Sequence, residues 1–162
     1  MSNQTTYNNL ANFFISLSNE TGNLITNLKL QKLLYYAQAW HLAYFGNRVI
    51  EGDFQAWIHG PVIPEAYRQF REFGWKPIEN DALNQDFIDH FCTDVVNPEQ
   101  CELLNDVVDE YFGLTAFKLE KLTHSEDPWI IARGDLPPDT PSENLISDES
   151  MIAYYQQFVV RG

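Results

Sequence analysis

Basic residues are scarce in this chain: 10 Lys and Arg stand against 23 Asp and Glu, for a formal net charge of −13. Phosphate backbones need Lys and Arg to neutralise them, so direct nucleic-acid binding is not expected. Cysteine is scarcer still. Cys92 and Cys101 are the whole supply, which is no disulfide framework and contains no Cys-x-x-Cys. The economical expectation is a cytoplasmic protein whose two reduced thiols behave as small apolar residues. No apolar run approaches the ~18 residues of a membrane span, and Met1 to Thr6 lack the basic and apolar regions of a signal peptide. The sequence also lacks His-x-x-x-His, Gly-x-Ser-x-Gly and a Gly-rich phosphate loop after a strand. Neither metal, cofactor nor membrane is therefore expected.

Hydrophobic residues make up 44% of the 162 positions and aromatics 14%, ample to bury a core without staples. One domain over 1–162 is expected. The charge is unevenly spread: residues 1–78 sum to +1, whereas residues 79–162 sum to −14. Two readings stay open. Such a field keeps a small protein soluble, and it also attracts a basic protein partner and speeds its approach.

The periodicity is helical over most of the chain. Leu10, Phe13, Phe14 and Leu17 share one face, and Thr21-Gly22-Asn23 breaks that helix. Thr26 can cap the next, which runs to Phe45 with Gly46 placed to end it. Leu30, Leu33, Leu34, Ala37, His41 and Tyr44 form its first apolar face, and Tyr36 and Trp40 begin a second. A helix that is apolar nearly all round is buried between others. Val49-Ile50 and Phe54 to His59, flanking Glu51-Gly52-Asp53, give the β signal, and Pro61 is expected to end pairing. Pro64 then opens a helix that Gly74 closes. Farther on, Asn97-Pro98-Glu99-Gln100 is a capping box with proline at the first helical position. Thr115, Asp127 and Ser147 are further caps, and Gly134 to Pro141 is a loop by composition. The predicted class is mainly α: a compact helical fold with one small β-hairpin between the second and third helices.

Few residues offer chemistry. A packed histidine explains His41 without a ligand role. His59 and His124 lie beside acids or a hydroxyl and would be the residues of any small hydrolase-type enzyme, but nothing specific asks for one. Two corners stand out instead. Trp57-x-His59-Gly60-Pro61-Val62 either turns a strand into a helix with Trp57 as core, or presents Trp57 and His59 rigidly to a partner. In Thr123-His124-Ser125-Glu126-Asp127-Pro128-Trp129, Asp127 as cap explains Asp-Pro, His124 could bond a last-turn carbonyl, and Arg133 could pair with Glu126 or Asp127. Both corners join a tryptophan to a histidine, which suggests that they converge on one shallow groove. Glu99, Glu102, Asp106, Asp109 and Glu110 recur on the outer side of their helix. Their like-charge i,i+4 pairs each cost a few tenths of a kcal/mol, which keeps a basic partner in view.

Three motifs in order, Leu28 to His41, Ala56 to Val62, and Leu122 to Trp129 with Ala132-Arg133, resemble the SocA-like antitoxin family, or Panacea domain. The resemblance covers about Leu10 to Tyr155. It implies a protein that binds a co-expressed toxin and holds it inactive by contact, with no chemistry of its own, often in a phage or mobile-element setting. The partner-binding positions carried over or singled out are Trp57, His59, Gly60, Pro61, Val62, Tyr67, His124, Asp127, Trp129 and Arg133. Some members instead deliver a toxin to a cellular protease as adaptors. Others carry a DNA-binding module, for which this chain shows no basic surface.

Overall fold

The computed structural model describes residues 4–159. Among them, eight α-helices and one two-stranded hairpin follow in the order α1 (Tyr7–Thr21), α2 (Asn27–Phe45), β1 (Gln55–Trp57), β2 (Gly60–Val62), α3 (Pro64–Gln69), α4 (Gln85–His90), α5 (Pro98–Val107), α6 (Ala116–His124), α7 (Asp127–Arg133) and α8 (Asp148–Tyr155). The mainly helical class and the hairpin between the second and third helices are as expected. Wide π turns extend α4 over Phe91–Val95 and α5 over Val108–Phe112.

Local chemistry explains the boundaries. Thr26 Oγ1 accepts from the Lys29 amide, and Gly46 leaves α2 at φ 79°. The Asn97–Gln100 capping box closes reciprocally, and Thr115 and Ser147 cap α6 and α8. Asp127 does not cap. It is the first residue of α7, and Glu126 holds the cap position without a side-chain cap bond. The Glu126 carboxylate is used elsewhere, accepting from the Tyr36 and Tyr155 hydroxyls at 2.8 Å each. Burial pushes its pKa up against the pull of those two donors.

Helix α2 is the central element, packed against α1, α5, α6, α8 and β2. Leu30, Leu33, Leu34 and Ala37 are fully enclosed, whereas Tyr44, read as part of the same face, is exposed. The polar residues of α2 are buried as well and pin loops that have no ladder of their own. Gln38 Oε1 accepts from the amides of Val49 and Ile50, and its Nε2 donates to Ile50 O. Gln31 Oε1 accepts from the Ile63 amide. His41 contacts Asn47 O through Nδ1 at 2.7 Å and Gln100 Nε2 through Nε2 at 3.0 Å; it is a packed histidine with two partners. Each satisfied bond avoids a desolvation cost of about 1–3 kcal/mol.

Two expectations are corrected here. The hairpin pairs Gln55, Ala56 and Trp57 with Val62, Pro61 and Gly60, not Val49-Ile50 with the strand after Gly52. Ile50 bridges Thr5 instead. Cys92 and Cys101 are not free thiols but a disulfide joining the turn after α4 to α5. The intervening turn brings their Cα atoms within 5.3 Å, inside the bridging range.

Candidate functional site

The hairpin is held from behind by side chains of α2, α6 and α7. Pro61 lies within β2 opposite Ala56, and its missing N–H breaks no ladder bond, because Ala56 faces the other way. The Ala56 amide donates to Asn144 O and its carbonyl accepts from Arg133 Nη1 at 3.1 Å. Gly60 follows the Ile58-His59 turn at φ 107°, a conformation that favours glycine. The Pro61 carbonyl accepts from Lys32 Nζ at 3.2 Å.

Behind the turn lies a stack. The indole N–H of Trp129 donates to Trp57 O at 2.9 Å. The His124 ring lies on Trp129 with centroids 3.9 Å apart, and the Arg133 guanidinium sits 4.9 Å from the same ring. Arg133 pairs with neither Glu126 nor Asp127; it donates to the carbonyls of Ala56, Pro137 and Thr140. His124 Nε2 is buried and without a hydrogen-bond partner. Burial lowers the His124 pKa, more than Glu120 and the Ile58 backbone raise it, so its ring is neutral near pH 7. Lys32 is 1% exposed, and desolvation brings its ammonium down to about 7 although Glu120 opposes this.

In front of the hairpin is a groove of about 550 Å³, lined by Leu28, Trp57, Ile58, His59, Val62, Tyr67 and the Pro141–Glu143 segment. Trp57 is half-buried and fixed, with its indole N–H on Gln55 Oε1 at 2.8 Å and its ring edge-on to Tyr67 at 5.1 Å. Exposed His59 contacts Glu120 through Nδ1 at 2.9 Å.

Four of the singled-out residues, Trp57, His59, Val62 and Tyr67, line the groove. Gly60 and Pro61 build its turn. His124, Trp129 and Arg133 support it from behind, and Asp127 lies exposed at the start of α7, outside the lining. Sequence reasoning missed Leu28, Ile58 and the Pro141–Glu143 wall. Leu28 sat within the α2 motif, but the wall read only as a proline-containing loop. Among the described residues, no group of three or more His, Cys, Asp or Glu could hold a metal ion, and no helix is long and apolar enough to cross a membrane.

The segment from α2 through the hairpin to α7 is also what known proteins share. The family described as "Antitoxin SocA-like, Panacea domain" matches residues 30–130. The chain belongs to this family. A relative is Antitoxin SocA of Caulobacter vibrioides (strain NA1000 / CB15N), 34% identical over 116 residues, covering 68% of this chain and 61% of that protein. The chain thus aligns with about three fifths of that relative's length. No solved structure matches. The matched span of the Panacea domain contains the hairpin and the Trp129 support, but not the Pro141–Glu143 wall.

Proposed function

We propose that this Panacea-domain protein neutralises a cognate protein toxin by direct contact, acts in the cytoplasm, and uses the groove beside Trp57 as its main contact. Family membership supports the antitoxin role. The observation that carries the site is the fixed, half-buried Trp57, itself inside the family-matched span, facing an apolar concavity. A held aromatic loses little side-chain freedom on binding, and a desolvated tryptophan anchor is worth about 2 kcal/mol or more. The hairpin edge itself is poorly suited to adding a strand, since Pro61 has no donor and the Ile63 amide is taken by Gln31. Recognition therefore works through side chains. The reading assigns the protein no catalytic step.

The test is co-expression and binding kinetics with the product of the adjacent reading frame. Rescue of growth and a co-purified complex are expected. Trp57→Ala, shown folded by circular dichroism, is expected to raise the off-rate about 30-fold, equivalent to ~2 kcal/mol. Unchanged affinity in a folded variant removes the groove from the contact. Toxin loss that requires both this protein and a cellular protease converts the reading to a proteolytic adaptor, and turnover without any protein partner refutes it.

A further inference from the structure

A second concavity, of about 310 Å³, shares no residue with the Trp57 groove. It lies between Trp40 and Tyr44 of α2, Asp106 and Val107 at the end of α5, Glu110 and Tyr111 of the following turn, and Phe158. That volume is at the low end of ligand sites, suited to one side chain rather than a cofactor. We propose that this pocket receives a cationic side chain, the guanidinium of an arginine presented by a protein partner.

The walls are aromatic and held in place. The Trp40 indole N–H donates to Tyr111 Oη at 2.8 Å, and its ring packs 5.1 Å from Tyr155. Tyr111 is stacked on Tyr36 at 3.9 Å. Trp40 nevertheless keeps part of its surface open, and Tyr44 and Phe158 are 46% and 53% exposed. These aromatic faces carry the negative side of a ring quadrupole, which attracts a cation placed above them.

The charge of the rim has the same preference. Asp106 and Glu110 are one helical turn apart and both exposed, a repulsive spacing in an isolated helix. Among the described residues, no lysine or arginine forms a salt bridge with either. An anion would be repelled from this rim. A neutral apolar ligand would strip water from the carboxylates without replacing it. A guanidinium satisfies both parts, with its plane on the aromatic faces and its N–H fork on the carboxylates; the compact, strongly hydrated lysine ammonium fits the faces less well.

The test uses N-acetyl-arginine methylamide, with its lysine and citrulline counterparts, titrated into the whole protein. The readout is the indole N–H resonances of Trp40, Trp57, Trp75 and Trp129, assigned by single Trp→Phe variants. The arginine probe is expected to shift Trp40 alone, saturably, with a Kd of roughly 10 mM or tighter. Citrulline, which keeps the shape without the charge, is expected to bind at least tenfold more weakly. Asp106→Asn with Glu110→Gln should weaken arginine at least fivefold while the other three indole resonances stay in place. An equal citrulline response, movement of all four indoles, or no saturable shift overturns the proposal, and tighter lysine binding overturns the guanidinium assignment. None of these outcomes depends on the Trp57 groove or on finding the toxin.

Discussion

Lys32 occupies the space where a side chain on Gly60 would begin: a Cβ built on Gly60 lies 2.5 Å from Lys32 Cε and 3.0 Å from Thr123 Oγ1. The hairpin turn therefore rests on a lysine stem, and the lysine is buried because the turn covers it. Helix, turn and titrating group form one unit.

Gly60→Ala should be costly for two independent reasons. Its φ of 107° disfavours any Cβ, and the new methyl meets Lys32. A loss of about 1–3 kcal/mol is expected in urea melts, and adding Lys32→Ala should recover only the steric part. A loss under ~0.5 kcal/mol would mean that the corner is not held this way.

Lys32 should make stability rise with pH just above neutrality. Its folded pKa is about 7 against an ordinary 10.5, so in this range the unfolded chain binds the proton and the folded one does not. The slope from Lys32 reaches ~1.4 kcal/mol per pH unit between pH 7 and about 9. Above that, Tyr35, Tyr36, Tyr111 and Tyr155, whose folded pKa values are raised by burial, oppose it, because their unfolded hydroxyls ionise near 10. Lys32→Met should flatten the rise between pH 7 and 9 in denaturant titrations. An unchanged profile in a folded variant counts against a neutral buried amine.

Leu34→Ala tests the centre of the fold. The side chain is 0% exposed, and its truncation should cost about 2–5 kcal/mol. A surface-like loss would show that α2 is not central.

The Cys92–Cys101 bridge closes a short loop, with a sequence separation of 9, so its chain-entropy contribution is about 2–3 kcal/mol. Cys92→Ser with Cys101→Ser should lower stability by no more than that in oxidising buffer and by little in a strong thiol reductant. Alkylation and mass spectrometry give the pairing. A cytoplasmic role requires the doubly substituted protein to fold, because glutathione opens such bridges there; a variant that does not fold would contradict that location.

Legibility followed the range of the interactions. The caps at Thr26, Asn97, Thr115 and Ser147 could be read because donor and acceptor sit three residues apart. The hairpin register could not. Val49 and Ile50 look like strand, yet their amides are taken by Gln38, eleven and twelve residues upstream in a helix where glutamine reads as filler. Asp127 looked like the cap because Asp-Pro is a strong local signal. It lies one position inside the helix, and Glu126 beside it is committed to tyrosines 90 residues before and 29 after. At the site, the two tryptophan corners do meet, as their shared composition suggested. Their roles differ: Trp57 faces the groove, while Trp129, 8% exposed, is its support. No pattern in one dimension separates a displayed tryptophan from a buried one.

Arg133 ties the Ala56 carbonyl of the hairpin to the carbonyls of Pro137 and Thr140, just before the Pro141–Glu143 wall. The Ala56 amide on Asn144 O holds the other end of that wall, so the two rims of the groove are set at a fixed gauge from both sides, with Arg133 clamping the stretch between Gly134 and Thr140. Inserting residues there would release the clamp before it reshaped the cleft. New partner preferences are accordingly most accessible by changing side chains at fixed spacing, as a key is recut without altering its blank.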